Sequence, residues 1–98
     1  MSEDPVLTSA LVASYVQGMQ NNSGADAENG PYLMAACCKH YAVYNIEDKP
    51  VDRTSFDAVV RTRDLWETYL PAFEACITTA RSQSVMCSYN AINGESCA

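Results

Sequence analysis

Basic residues are scarce in this sequence. Six lysines and arginines face twelve aspartates and glutamates, for a net charge of −6, and a surface of that sign repels a phosphate backbone. No nucleic-acid partner is therefore expected. Histidine occurs once, at His40, which leaves no histidine pair for a zinc site. Glycine numbers only four, which argues against an unrelated small disulfide-bonded domain. No apolar run reaches the roughly 18 residues that a membrane-spanning helix needs, so no membrane partner is expected. The opening MSEDPVLTS has neither a basic start nor an apolar core, and no secretion signal is read in this segment.

Cysteine, by contrast, is plentiful. Five in 98 residues lean toward an oxidising compartment. Asn21-Asn22-Ser23 adds an acceptor pattern for N-glycosylation at Asn21, meaningful only if the chain is secreted. The hydrophobic fraction of 48% is that of a chain with a core to bury, which excludes a disordered tail.

Local signals alternate between two periods. Asp4-Pro5 opens a helix, since Asp can cap the free amides and Pro fits the first helical position. Leu7, Leu11, Tyr15 and Met19, joined by Val12 and Val16, then recur at helical spacing. Residues 24–31 read as a polar loop. Tyr32 to Tyr41 is a mostly apolar run that alternates poorly, as a strand buried on both faces should. A polar loop, residues 45–55, precedes a β-prone piece from Phe56 to Val60. A second helix is expected from Asp64, with Glu67 in capping-box spacing and an apolar stripe of Trp66, Leu70, Phe73 and Ile77. Pro71 should kink or divide it. Ser84 to Tyr89 is a further strand, followed by the turn-rich NAINGESCA. Helix, strand, helix, strand is the order of a parallel α/β layout, and two strands do not close such a sheet.

The stretch CCKHYAVYN, residues 37–45, carries the unusual chemistry. Metal binding fits poorly, because neighbouring strand residues point to opposite faces and Cys37 and Cys38 cannot both reach one ion. A Cys38–His40 catalytic pair would lie roughly 6.5 Å apart along a strand, too far for a hydrogen bond. Lys39 and His40 could simply mark a strand leaving the core. Against that, ligands of parallel α/β folds bind at the carboxyl ends of strands, and Tyr89-Asn90 occupies the same end of the next strand. Two strands ending in large polar side chains at one rim outline a binding site for a polyhydroxylated ligand.

Three blocks of this sequence resemble glycoside hydrolase family 3, in its β-xylosidase and β-glucosidase branch. ACCKHYAVYNIED resembles the family's lysine-histidine strand. FDAVVRTRDLWETYLPAFEACI resembles its FDA segment and the DLxETYLPPF helix, and SVMCSYNAINGESCA resembles SVMCSYNxVNGxPxCA. Glu3-Asp4-Pro5 matches an EDP element, while Lys49-Pro50 and Glu95-Ser96 depart from the pattern. The resemblance implies that residues 1–98 are part of an N-terminal (β/α)₈ TIM barrel that extends beyond both ends. It further implies a secreted, exo-acting retaining glycosidase whose substrate is an oligosaccharide or glycoside and which needs no cofactor. Lys39, His40 and Tyr89 match residues that line the family's pocket for the non-reducing-end sugar. The nucleophile and the acid/base match no residue here, so this stretch alone is expected to be inactive. Glu47, Asp48 and Asp52 read as solvated loop charges. A non-catalytic carbohydrate-binding or interaction protein built on the same barrel is the alternative.

For the cysteines, the polar, turn-rich segment between Cys87 and Cys97 could fold back and close a disulfide. Cys76 is expected to pair with Cys37 or Cys38, and five cysteines leave at least one unpaired.

Overall fold

A computed structural model describes residues 2–20 and 31–97; the Asn21 acceptor lies outside the described residues. The chain begins with helix α1, Pro5–Gln20. Its start is built as the sequence suggests: Asp4 Oδ1 accepts from the amides of Val6 at 2.9 Å and Leu7 at 3.4 Å, with Pro5 inside the first turn. Strand β1, Cys37–Tyr41, follows, and then the two-residue strand β2, Asp57–Ala58.

The second helix starts two residues earlier than expected and is composite. An α-turn, α2 (Thr62–Asp64), runs into a π segment, Leu65–Tyr69; α3 (Pro71–Glu74) runs into a second π segment, Ala75–Thr79. Pro71 has no N–H to continue the α ladder, and the turn before it closes instead through Leu70 N to Leu65 O at 2.9 Å. The expected capping box does not form. Arg61 occupies the cap position without a side-chain bond, and Glu67 instead pairs with Arg63 at 3.0 Å one turn away.

These wide turns rotate the helix relative to the expected stripe. Leu65, Tyr69, Leu70 and Phe73 pack on the core around Ala42, Val43 and Ala58, and Cys76 and Ala80 are buried. Trp66 and Ile77 face outward, at 64% and 47% exposure. On α1 the buried side is Val16 and Gln20, flanked by Val12 and Ala13, while Leu7, Leu11 and Tyr15 of the expected stripe are exposed.

Strand β3, Ser84–Cys87, pairs in parallel with β1, Cys37 opposite Ser84 and Cys38 opposite Val85, with an irregularity before Tyr41 meets Cys87. The Lys39–His40 and Tyr41–Ala42 peptides are cis. The expectation of a ten-residue strand buried on both faces is corrected: only five residues are extended, with Cys37 and Lys39 exposed and Cys38, His40 and Tyr41 half-buried. All four residues of β3 are exposed, because among the described residues this sheet has two strands and little packed over it. The tail forms a hairpin of β4, Ala91–Ile92, and β5, Glu95–Ser96, with β4 parallel to β2. Asn93 and Gly94 turn it with φ of 51° and 84°, the left-handed pair a two-residue hairpin demands.

The parts are joined by one buried amide. Gln20 is 2% exposed. Its Oε1 accepts from Ala36 N at 3.1 Å and Gln83 N at 3.0 Å, and its Nε2 donates to Arg81 O at 3.0 Å. One side chain thus ties the end of α1 to the chain entering β1 and the chain entering β3.

Candidate functional site

Because β1 and β3 are parallel, their carboxyl ends open on one rim. β1 delivers Lys39 and His40, and the residues after β3 deliver Tyr89. Tyr89 is presented by its neighbours. Ser88 N donates to Tyr41 O at 2.6 Å, Ser88 Oγ to Ala42 O at 3.3 Å, and Asn90 Nδ2 to the same Ala42 oxygen at 3.2 Å. Ser88 and Asn90 are buried, while Tyr89 between them is 48% exposed.

Val43 sits in the left-handed region at φ 56°, a rare state for a β-branched residue, and the chain reverses there. Tyr44 thereby returns over the strand end, its ring centroid 4.9 Å from that of His40 and 6.1 Å from that of Tyr89. The following loop folds back as well. Arg53 N donates to Glu47 O at 3.1 Å, and Arg53 Nη1 pairs with Glu47 Oε1 at 3.1 Å. The guanidinium lies 5.0 Å from the Tyr89 ring centroid. Tyr44 OH donates to the same Glu47 oxygen at 3.4 Å. Bonds to Glu47 and Tyr44 hold Arg53 more firmly protonated than usual.

The result is a row of rings, His40, Tyr44 and Tyr89, with a cation on the far side. Such a row offers flat apolar faces to the C–H surface of a sugar ring, with N–H and O–H groups beside them for hydroxyls. The structure brings His40 and Tyr89 together through Tyr44. It does not bring Lys39 into that row: Lys39 is exposed and lines a separate cavity of about 450 Å³ with Val12, Tyr15, Met19 and Phe73. Tyr44 and Arg53 were not singled out from the sequence, and no spacing signal marks them, since only the loop's reversal brings them to the rim.

Two of the loop carboxylates, Glu47 and Asp52, are engaged locally. Glu47 holds Arg53 and Tyr44, while Thr54 donates through hydroxyl and amide to Asp52 Oδ1, which holds the Asp52 carboxyl below its usual range.

The cysteine expectations need one correction. Cys38 and Cys76 form a disulfide joining β1 to the composite helix, one of the two pairings open to Cys76. Cys87 and Cys97, expected to bridge, are free thiols. They are close, with Cys87 Sγ donating to Cys97 O at 3.4 Å. Cys97 Sγ in turn donates to Tyr41 O at 2.8 Å. Burial, then the bond to Cys87, pushes the Cys97 thiol above its usual range.

Known proteins are similar to this chain in sequence and fold. A β-xylosidase/α-L-arabinofuranosidase of Medicago sativa subsp. varia is 46% identical over 94 residues, which is 95% of this chain and 12% of that protein. A probable exo-1,4-β-xylosidase of Aspergillus fumigatus is 48% identical over 93 residues, 94% of this chain and 12% of that protein. Among solved structures, a family 3 exo-β-xylosidase in complex with a xylobiose aziridine activity-based probe superposes with a TM-score of 0.85 at 37% identity, over 98% of this chain and 12% of that one. β-Glucosidase 3B of Thermotoga neapolitana in complex with glucose gives 0.79 at 35%, with the same shares. The chain thus spans about an eighth of the length of the relatives it matches. The model of the glycosyl hydrolase family 3 N terminal domain matches residues 1–98, and the chain belongs to that family.

Proposed function

We propose that this chain is an arc of a (β/α)₈ barrel in a secreted, retaining, exo-acting glycoside hydrolase of the β-xylosidase or β-glucosidase type. It supplies sugar-binding residues and not the two catalytic carboxylates. The observation that carries this reading is the shared rim of parallel β1 and β3, where His40, Tyr44 and Tyr89 form one row of rings. Exposed Val85, Met86, Leu7 and Leu11 fit a barrel whose remaining strands and helices cover them.

In this reading His40 donates to a sugar hydroxyl, Tyr89 shapes the pocket floor, and Lys39, next to His40 on the same strand, holds a further hydroxyl. Bonds that strengthen as the sugar ring flattens toward the oxocarbenium-like transition state lower the barrier as well as the dissociation constant. Glu47 and Asp52 serve the loop in this reading, through their bonds to Arg53, Tyr44 and Thr54.

The test uses the protein that carries this sequence, with aryl β-xylosides and aryl β-glucosides as substrates. Lys39→Ala and His40→Ala are each expected to lower kcat/KM by roughly ten- to a thousand-fold, the loss of a donor to a sugar hydroxyl in a dry pocket. Unchanged kinetics in a folded variant would refute the role of that residue. Binding of xylobiose with no hydrolysis of any β-glycoside would favour the non-catalytic alternative.

A further inference from the structure

The row of rings has a support that the sugar-site reading does not use. Glu47 Oε1 accepts from Arg53 at 3.1 Å and from Tyr44 OH at 3.4 Å. Arg53 lies over Tyr89 at 5.0 Å, and Tyr44 stands between His40 and Tyr89. A single carboxylate therefore holds two arms, one laid on Tyr89 and the other set against His40. We propose that Arg53, anchored by Glu47, is a positioning residue that holds the Tyr89 ring in the orientation in which it meets the sugar. This inference rests on the sugar-binding reading of Tyr89.

Physical chemistry favours positioning over stability as its role. The Arg53 and Glu47 side chains are 46% and 68% exposed, and ion pairs so open to water add little to folding. The planar guanidinium is nevertheless well suited to lie against a ring while keeping its fork for a carboxylate. Tyr89 is pinned on both sides, by the Ser88 amide and the Asn90 side chain, but its own side chain projects into the open. Arg53 is the cation recorded against that ring, and it restricts where the ring can swing.

The discriminating experiment is a double-mutant cycle in the protein that carries this sequence, assayed on an aryl β-xyloside and an aryl β-glucoside. Arg53→Met, which keeps an apolar stem, is expected to lower kcat/KM by about three- to ten-fold with Tm within about 2 °C of the parent. In a Tyr89→Ala background the same change is expected to cost nothing further, because the ring it positions is gone. Equal losses in both backgrounds, no loss in the parent, or a large fall in Tm would each overturn the positioning role. A Tyr89→Ala variant with undiminished kcat/KM would overturn the sugar-site reading itself, and the positioning role with it.

Discussion

Replacing Gln20 by leucine would test how the parts of this chain are held together. The change removes an acceptor from two amides, Ala36 N and Gln83 N, and a donor from Arg81 O. All of these meet at a side chain that is 2% exposed, where water cannot readily take over. A buried polar group left unpaired costs about 1–3 kcal/mol. Three orphans, partly relieved by relaxation, should lower the local opening free energy by about 2–4 kcal/mol. Hydrogen exchange by mass spectrometry reads this directly, and for a large parent protein it is better defined than a global unfolding free energy. Peptides containing Ala36 and Gln83 should exchange roughly 30- to 1,000-fold faster, since each 1.4 kcal/mol is a factor of ten. Gln17→Ala is the control: it loses one exposed bond, to Thr79 O at 3.2 Å, and should change exchange by less than about five-fold. Gln20→Glu sharpens the result. A protonated carboxyl can both accept from the amides and donate to Arg81 O, and burial raises its pKa above the unfolded value. Its stabilising contribution is therefore full below the unfolded carboxylate pKa, and it fades as pH rises through the folded pKa. Protection at Ala36 and Gln83 unchanged in Gln20→Leu would refute the account of Gln20 as the joint.

The remaining predictions concern the cysteines and the hairpin. Non-reducing peptide mapping should find Cys38 linked to Cys76 and Cys37, Cys87 and Cys97 alkylated, with Cys97 the slowest near neutral pH because its raised pKa leaves little thiolate; a Cys87–Cys97 peptide would refute the thiol assignment. Removing the Cys38–Cys76 bridge, whose partners are 38 residues apart, should cost about 3–4 kcal/mol in the chain-entropy model, read as a fall in thermal stability of Cys76→Ala. Gly94→Ala should cost about 1–2 kcal/mol, since an added methyl meets no atom within 4 Å and the penalty is that of φ +84° alone. An unchanged denaturation midpoint would show that the turn relaxes at no cost.

Local chemistry wrote much of this fold into the sequence. Asp4-Pro5 capped α1 as its residue types require, Pro71 divided the second helix because it lacks an N–H, and Asn93-Gly94 turned a hairpin because both residues tolerate positive φ. The alternation of helix and strand gave a parallel sheet, and with it one rim for His40 and Tyr89. Each of these depends on residues within a few positions of one another. What the tertiary structure decided depends on distance. The π turns on either side of α3 rotated Trp66 and Ile77 off the core, and Glu67 found Arg63 in place of a cap. The thiol of Cys97 reached the Tyr41 carbonyl, 56 residues away. Gln20 gathered amides up to 63 residues distant, and the reversal at Val43 carried Tyr44 and Arg53 to the rim. A pattern of residue types has no term for which way a chain returns, and contacts made by that return are settled only when the parts pack.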